Sequence, residues 1–159
     1  MDDILDELTS FWRKHGIATA AKQATVAEVE AWERRYSVIL PTDLREYVLR
    51  VNGILGGETL EFDHEGLSFL PLSAMCPEGE WTEFEPQQQG MFVFADFLAK
   101  CHWWCVALDG QPHEQTRIFI GGGLPIQNRL VTSSLAEFFE LYMNDHIAIY
   151  PHPLETTND

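Results

Sequence analysis

The sequence predicts an α+β fold in one domain: a central, mostly antiparallel twisted sheet flanked by N-terminal helices and a C-terminal helix. Three observations carry that reading. Apolar residues recur at helical spacing through the first fifty positions, short strand-like runs replace them from Leu60, and a helix-capping sequence returns near residue 134. A chain of 159 residues buries roughly 70% of its unfolded surface, so no metal or disulfide staple is needed. The domain is placed at 1–152, with 153–159 as a frayed polar tail.

The elements follow in order. Ile4, Leu8, Phe11 and Trp12 share one face of a first helix, which Gly16 ends. "TVAE" at 25–28 is a capping box, in which the Thr25 hydroxyl and the Glu28 carboxylate each accept the other's amide. The helix it opens buries Val29, Trp32 and Tyr36 and must stop before Pro41, which forces Leu40 into an extended conformation. Thr42 is the expected N-cap of a third helix, and Asp43 favours the positive end of its dipole. Leu44, Tyr47, Val48 and Val51 form its core stripe, and Asn52-Gly53 supplies a left-handed terminator.

Beyond Leu60, "TLEF", "LSFLPL", "MFVFADF", "WWCVAL" and "RIFI" read as strands separated by Gly, Pro and acidic turns. "CPEGEWTEFEPQQQG" at 76–90 reads as a long polar loop. "SLAE" at 134–137 is a second capping box, with Ser134 as cap and Glu137 reaching back. It opens a helix that buries Leu135, Phe138, Phe139 and Tyr142, and "HIAIYPHP" adds an extended segment.

The formal charge is −15, and its arrangement is uneven. No Lys or Arg occurs from Val51 to Ala99, a span with nine carboxylates, nor from Leu130 to Asp159, a span with five. Such a field repels nucleic acid and anionic lipid and attracts a basic partner. The candidate partner-binding residues are therefore Glu58, Glu61, Asp63 and Glu65, together with Glu78, Glu80, Trp81, Glu83, Phe84 and Glu85 of the polar loop. The second group sets two aromatic side chains among carboxylates, the make-up of an apolar anchor with a polar rim.

Catalytic and cofactor signatures are not found. "CHWWC" has three residues between its cysteines and no second ligand pair, so it reads as a packed strand with Cys101, Trp103 and Cys105 on one face. "FIGGGLP" lacks both the spacing and the following helix of a phosphate cradle. "HEGLS" and "HEQTR" miss the second histidine of a zinc helix, and no serine sits in a nucleophile elbow. No catalytic residue, cofactor or metal is expected. The acidic first residues lack the basic stretch of a secretory signal, no apolar run spans a bilayer, and Cys76, Cys101 and Cys105 cannot all pair within one chain. A cytoplasmic location is the expectation.

Taken together, Glu30, Val38, Leu40-Pro41, the helix from Leu44 to Val51, Asn52-Gly53 and Gly56-Gly57 resemble the thread of the SUKH superfamily, the Smi/Knr-type domain. "LSFLPLSAM", "FVFADF", "CVALDG" and the closing "VTSSLAEFFELYM" are similar to its middle strands and last helix, so the likeness runs from about 22 to 144. It implies a non-enzymatic α+β binding domain without fixed catalytic residues. Many bacterial members look like immunity proteins that bind and occlude a cognate toxin domain, and the acidity of this chain suits a toxin that is basic, such as a nuclease. The alternative it implies is a regulatory or scaffolding protein, cell-wall or signalling related, with a non-toxin partner. The 76–90 segment departs from the shared thread.

Overall fold

A computed structural model describes residues 1–17, 22–54, 62–83, 88–122 and 128–150. Three helices come first: α1 (Asp2–Lys14), α2 (Val26–Tyr36) and α3 (Thr42–Arg50). Strands β1 (Leu67–Phe69) and β2 (Cys76–Pro77), a short α4 (Glu78–Trp81), then β3 (Met91–Phe97), β4 (His102–Ala107), β5 (Ile118–Gly121) and β6 (Arg129–Thr132) follow, and α5 (Leu135–Asn144) closes the order. The six strands form one sheet in the order β1-β3-β4-β5-β6, with β2 also paired to β3. Every pairing is antiparallel, and Phe94 sits at an irregularity in β3.

Successive residues of β4 face opposite sides of the sheet. On one side Trp104, Phe94 and Phe69 meet Trp12 of α1 and Phe138, Phe139 and Tyr142 of α5, ring against ring at 5.0–6.2 Å. Trp103 and Cys105 point the other way and lie beneath α4. Trp32 and Tyr36 of α2 close on Phe92.

The capping box at Thr25 forms as expected: Glu28 N donates to Thr25 Oγ1 at 3.2 Å, and Thr25 N donates to Glu28 Oε2 at 2.7 Å. Ser37 in the left-handed region ends α2. Glu33 then accepts from Leu40 N at 2.8 Å and from Arg45 Nη2 at 2.7 Å, fixing the Leu-Pro entry to α3.

Pro41, not Thr42, occupies the N-cap of α3, and no side chain caps it. The reason is tertiary. Thr42 N and Asp43 N donate to the carbonyls of His113 and Glu114, so a distant loop satisfies the free amides that a side-chain cap would otherwise take.

Asp43 is a junction. Its buried carboxylate accepts from Leu44 N at 2.8 Å, from Thr116 N at 3.0 Å, from the Thr116 hydroxyl and from Leu135 N at 3.1 Å. One side chain thus ties α3 to the β4–β5 connection and to the first turn of α5. At the other end of α3, Asn52 adopts φ +58°, accepts from Leu72 N at 2.8 Å and donates to Lys22 O at 3.1 Å. Gly53 follows at φ +82°, where an added Cβ would lie 2.5 Å from Phe69 O.

Four expectations need correction. Of "TLEF", residues 59–61 lie outside the described set and Phe62 is exposed and not in a strand. The polar loop contains β2 and α4, because Cys76–Pro77 finds open β3 hydrogen-bonding positions and Pro77 suits the start of a helical turn. Glu137 accepts from Ser133 N, while Ser134 accepts from Glu137 N, so the second box closes one residue early. Residues 146–149 form a 3-10 turn rather than an extended segment. The strand β6 has no counterpart in the sequence reading.

Asp43→Ala strands the amides of Thr116 and Leu135 in the interior. Chemical denaturation is expected to show a loss of about 3 kcal/mol at unchanged denaturant slope.

Candidate functional site

The hairpin of β3 and β4 narrows to the pair Phe97↔His102, leaving four residues to reverse the chain. Strand twist favours turn residues with positive φ, usually Asn or Gly. This turn uses neither: Leu98, Ala99 and Lys100 hold φ values of +46°, +53° and +71°. Each costs about 1 kcal/mol or more for an L residue. Asp96 compensates from beneath. Its buried carboxylate accepts from Lys100 N at 2.9 and 3.1 Å, while Cys101 N donates to Phe97 O at 3.0 Å. Burial pushes the Asp96 carboxyl above its usual range, against the pull of the Lys100 amide and of the Lys100 charge.

The turn reaches to both sides. Leu98 N donates to Gly66 O at 3.0 Å, and Gly66, at φ +90°, leaves room for the leucine: a Cβ there would lie 2.7 Å from Leu98 Cδ2. That contact brings Glu65 beside the turn. Toward α4, Lys100 Nζ donates to Trp81 O at 2.8 Å and sits 4.8 Å from the indole centroid, a cation–π geometry. That contact brings Glu80 and Glu83 to the opposite flank.

Two acidic stretches that are separate in sequence are therefore each tied to this turn, one through Gly66 and the other through Trp81. Glu65, Glu80 and Glu83 are exposed there and Trp81 is half-buried. Leu98, on the turn itself, is 51% exposed.

Asp63 and Glu78 face inward instead. Asp63 accepts from Glu65 N and Leu67 N, both at 2.8 Å, and from the Tyr142 hydroxyl, which itself accepts from Trp12 Nε1 at 2.9 Å. Burial and the neighbouring Asp63 charge push the Tyr142 phenol far above its ordinary value, so it remains a neutral donor. Glu78 accepts from Trp103 Nε1 at 2.8 Å and Asn128 Nδ2 at 3.0 Å. Gly121, the first glycine of "GGG", is explained here: a Cβ would lie 2.6 Å from Glu78 Oε1 and 2.7 Å from Trp103 Nε1. Glu58, Glu61, Phe84 and Glu85 lie outside the described residues.

The sequence reading missed Asp96, Leu98 and Lys100. One signal was available: "FLAK" must reverse the chain between two apolar strands without Gly, Asn or Asp at the turn positions.

Among the described residues no group of three or more His, Cys, Asp or Glu is placed to hold a metal, and Cys76, Cys101 and Cys105 are free thiols. Burial pushes the Cys76 and Cys105 thiols up, away from nucleophilic character. No helix among the described residues is long and apolar enough to cross a membrane.

A model of the SMI1 / KNR4 family (SUKH-1) matches residues 23–141, three quarters of the chain. The protein belongs to that family. No curated protein matches it. The SUKH-1 match spans α2 through most of α5, including the Asp43 junction, Asn52-Gly53 and the β3–β4 turn, while α1 precedes it.

His102, at the base of the turn, stacks on Phe97 at 4.9 Å, and burial holds its imidazole below the ordinary value of 6.5. Unfolding lets it protonate near that ordinary value, so the unfolded chain binds more protons just below it. The stability this residue contributes is present above about pH 6.5 and is lost as pH falls toward the lowered folded value. Between about pH 7.5 and about pH 5.5, His102→Phe should lose less unfolding free energy than the parent protein. Equal losses in calorimetry would remove His102 from the pH response.

Proposed function

We propose that this SUKH-1 domain is a non-enzymatic binding protein of the immunity type, which neutralises a cognate basic toxin domain by covering its active surface. The observation that carries the reading is that exposed Glu65, Glu80 and Glu83 lie beside the two contacts, Gly66 with Leu98 and Trp81 with Lys100, that tie their segments to one turn. Exposed carboxylates on both flanks steer a cationic surface into contact, and the apolar centre slows its release. The family supports a role in protein binding, and the immunity role is what the sequence resemblance implies for bacterial members. A regulatory protein with several weak partners would use the same surface with lower affinity.

The test is co-expression with the protein encoded by the adjacent gene, the expected toxin. Growth should be restored by the parent protein and not by the Glu65→Lys, Glu80→Lys, Glu83→Lys triple variant. These side chains are exposed, so the variant should keep its melting temperature. Its association rate should fall at least about tenfold at low salt, with the difference shrinking near 0.5 M salt, where screening acts within a few ångströms. Rescue by the triple variant at an unchanged association rate would move the interface elsewhere.

A further inference from the structure

We infer that His15 and His64 form a pH-sensitive clasp: two stacked imidazoles, one at the end of α1 and one in the 62–66 segment, hold those elements together while at most one of them is charged, and acid separates them. The inference concerns the fold and stands whether or not the domain neutralises a toxin.

The two rings lie face to face, with centroids 4.2 Å apart and planes within 6° of parallel. Phe11, one turn earlier on α1, lies 4.3 Å from the His15 ring and 5.8 Å from that of His64. It also meets Tyr142 of α5 edge-on at 5.5 Å, so the pair leans on the aromatic side of the core. The 62–66 segment in turn bonds Tyr142 through Asp63 and Leu98 through Gly66. The clasp therefore sits where α1 braces a segment that supports both α5 and the β3–β4 turn.

The polar contacts of the two histidines are local. His15 Nδ1 is 2.8 Å from Phe11 O, four residues back on the same helix. His64 Nε2 is 3.7 Å from Oε1 of Glu65, its neighbour in the chain. Both contacts favour a charged ring, and both survive when α1 and the 62–66 segment part. What parting breaks is the contact of the His64 ring with His15 and Phe11.

The other groups around the pair do not reverse the sign. Asp63, buried beside His64, is taken up by the Tyr142 hydroxyl and the amides of Glu65 and Leu67. Burial and the Asp63 charge push the phenols of Tyr142 and Tyr150 up, so both stay neutral. Arg13 and Lys14, exposed in the last turn of α1, add positive charge on the His15 side. Two cationic rings at the stacking distance repel each other in the closed form alone. The open form thus binds more protons and gains as pH falls.

Native-state hydrogen exchange on the full chain tests the clasp, with rates corrected for the pH dependence of the chemical step. The amides of His15, Gly16 and Ile17 close the end of α1. From about pH 7.5 to about pH 5, the range over which imidazoles gain protons, their protection should fall about fivefold. The fall should shrink in about 1 M salt, where screening acts within a few ångströms. His15→Phe and His64→Phe keep a stacked ring without its charge, and each should abolish the fall. His102→Phe, at a different site, should leave it intact. Where a phenylalanine variant has lost protection already at pH 7.5, His15→Gln takes its place and must show the same flat profile. Constant protection in the parent, a fall indifferent to salt, or a fall that persists in both His15→Phe and His64→Phe each overturns the clasp.

Discussion

The carboxylate of Asp43 is the point on which the arrangement of layers depends. It sits on the first turn of α3 and bonds Thr116, 73 residues away, and Leu135, 92 residues away. The β4–β5 connection and the start of α5 are thereby set against the same helix end. The same connection supplies the carbonyls of His113 and Glu114 that finish the α3 amides. The helix, the β4–β5 connection and the closing helix therefore share one set of polar groups, and displacing any of them leaves donors unmet in the interior.

Asp63, Glu78 and Asp96 repeat the device. All three are buried, and each is satisfied by N–H or O–H donors: Asp63 by amides and a tyrosine, Glu78 by an indole and an amide side chain, Asp96 by the turn it supports. The strong acidity of the composition thus has two uses. Part of it is internal framework, and three exposed carboxylates, Glu65, Glu80 and Glu83, lie on the segments tied to the turn that Asp96 holds. Framework and surface are coupled, because the carboxylate that stabilises the left-handed backbone also fixes where Leu98 and Lys100 stand.

Legibility in the sequence divided along range. The Thr25 capping box, the stop before Pro41 and the Asn52-Gly53 terminator were readable because each is decided within four or five residues. The N-cap of α3 was not, since carbonyls 71 residues away replace the side chain expected there. Strand β6, four residues long with an exposed Leu130, is too short for a period-two pattern to register. For the site, charge distribution pointed to both acidic stretches. It could not tell Glu65, Glu80 and Glu83 from the inward Asp63 and Glu78, because burial depends on Tyr142, Trp103 and Asn128, which are distant in sequence. The turn that joins the two stretches carries no charge run and passed unnoticed.

The central claim is that one continuous surface, built from both stretches and the β3–β4 turn, meets a basic protein partner. Backbone hydrogen exchange of the complex tests it most directly. Binding should slow exchange together in the segments around Glu65, around Trp81 and from Leu98 to Cys101, with the amides of α2 unchanged. Slowed exchange in only one of the three segments, or in α2 instead, would contradict a single surface centred on the turn.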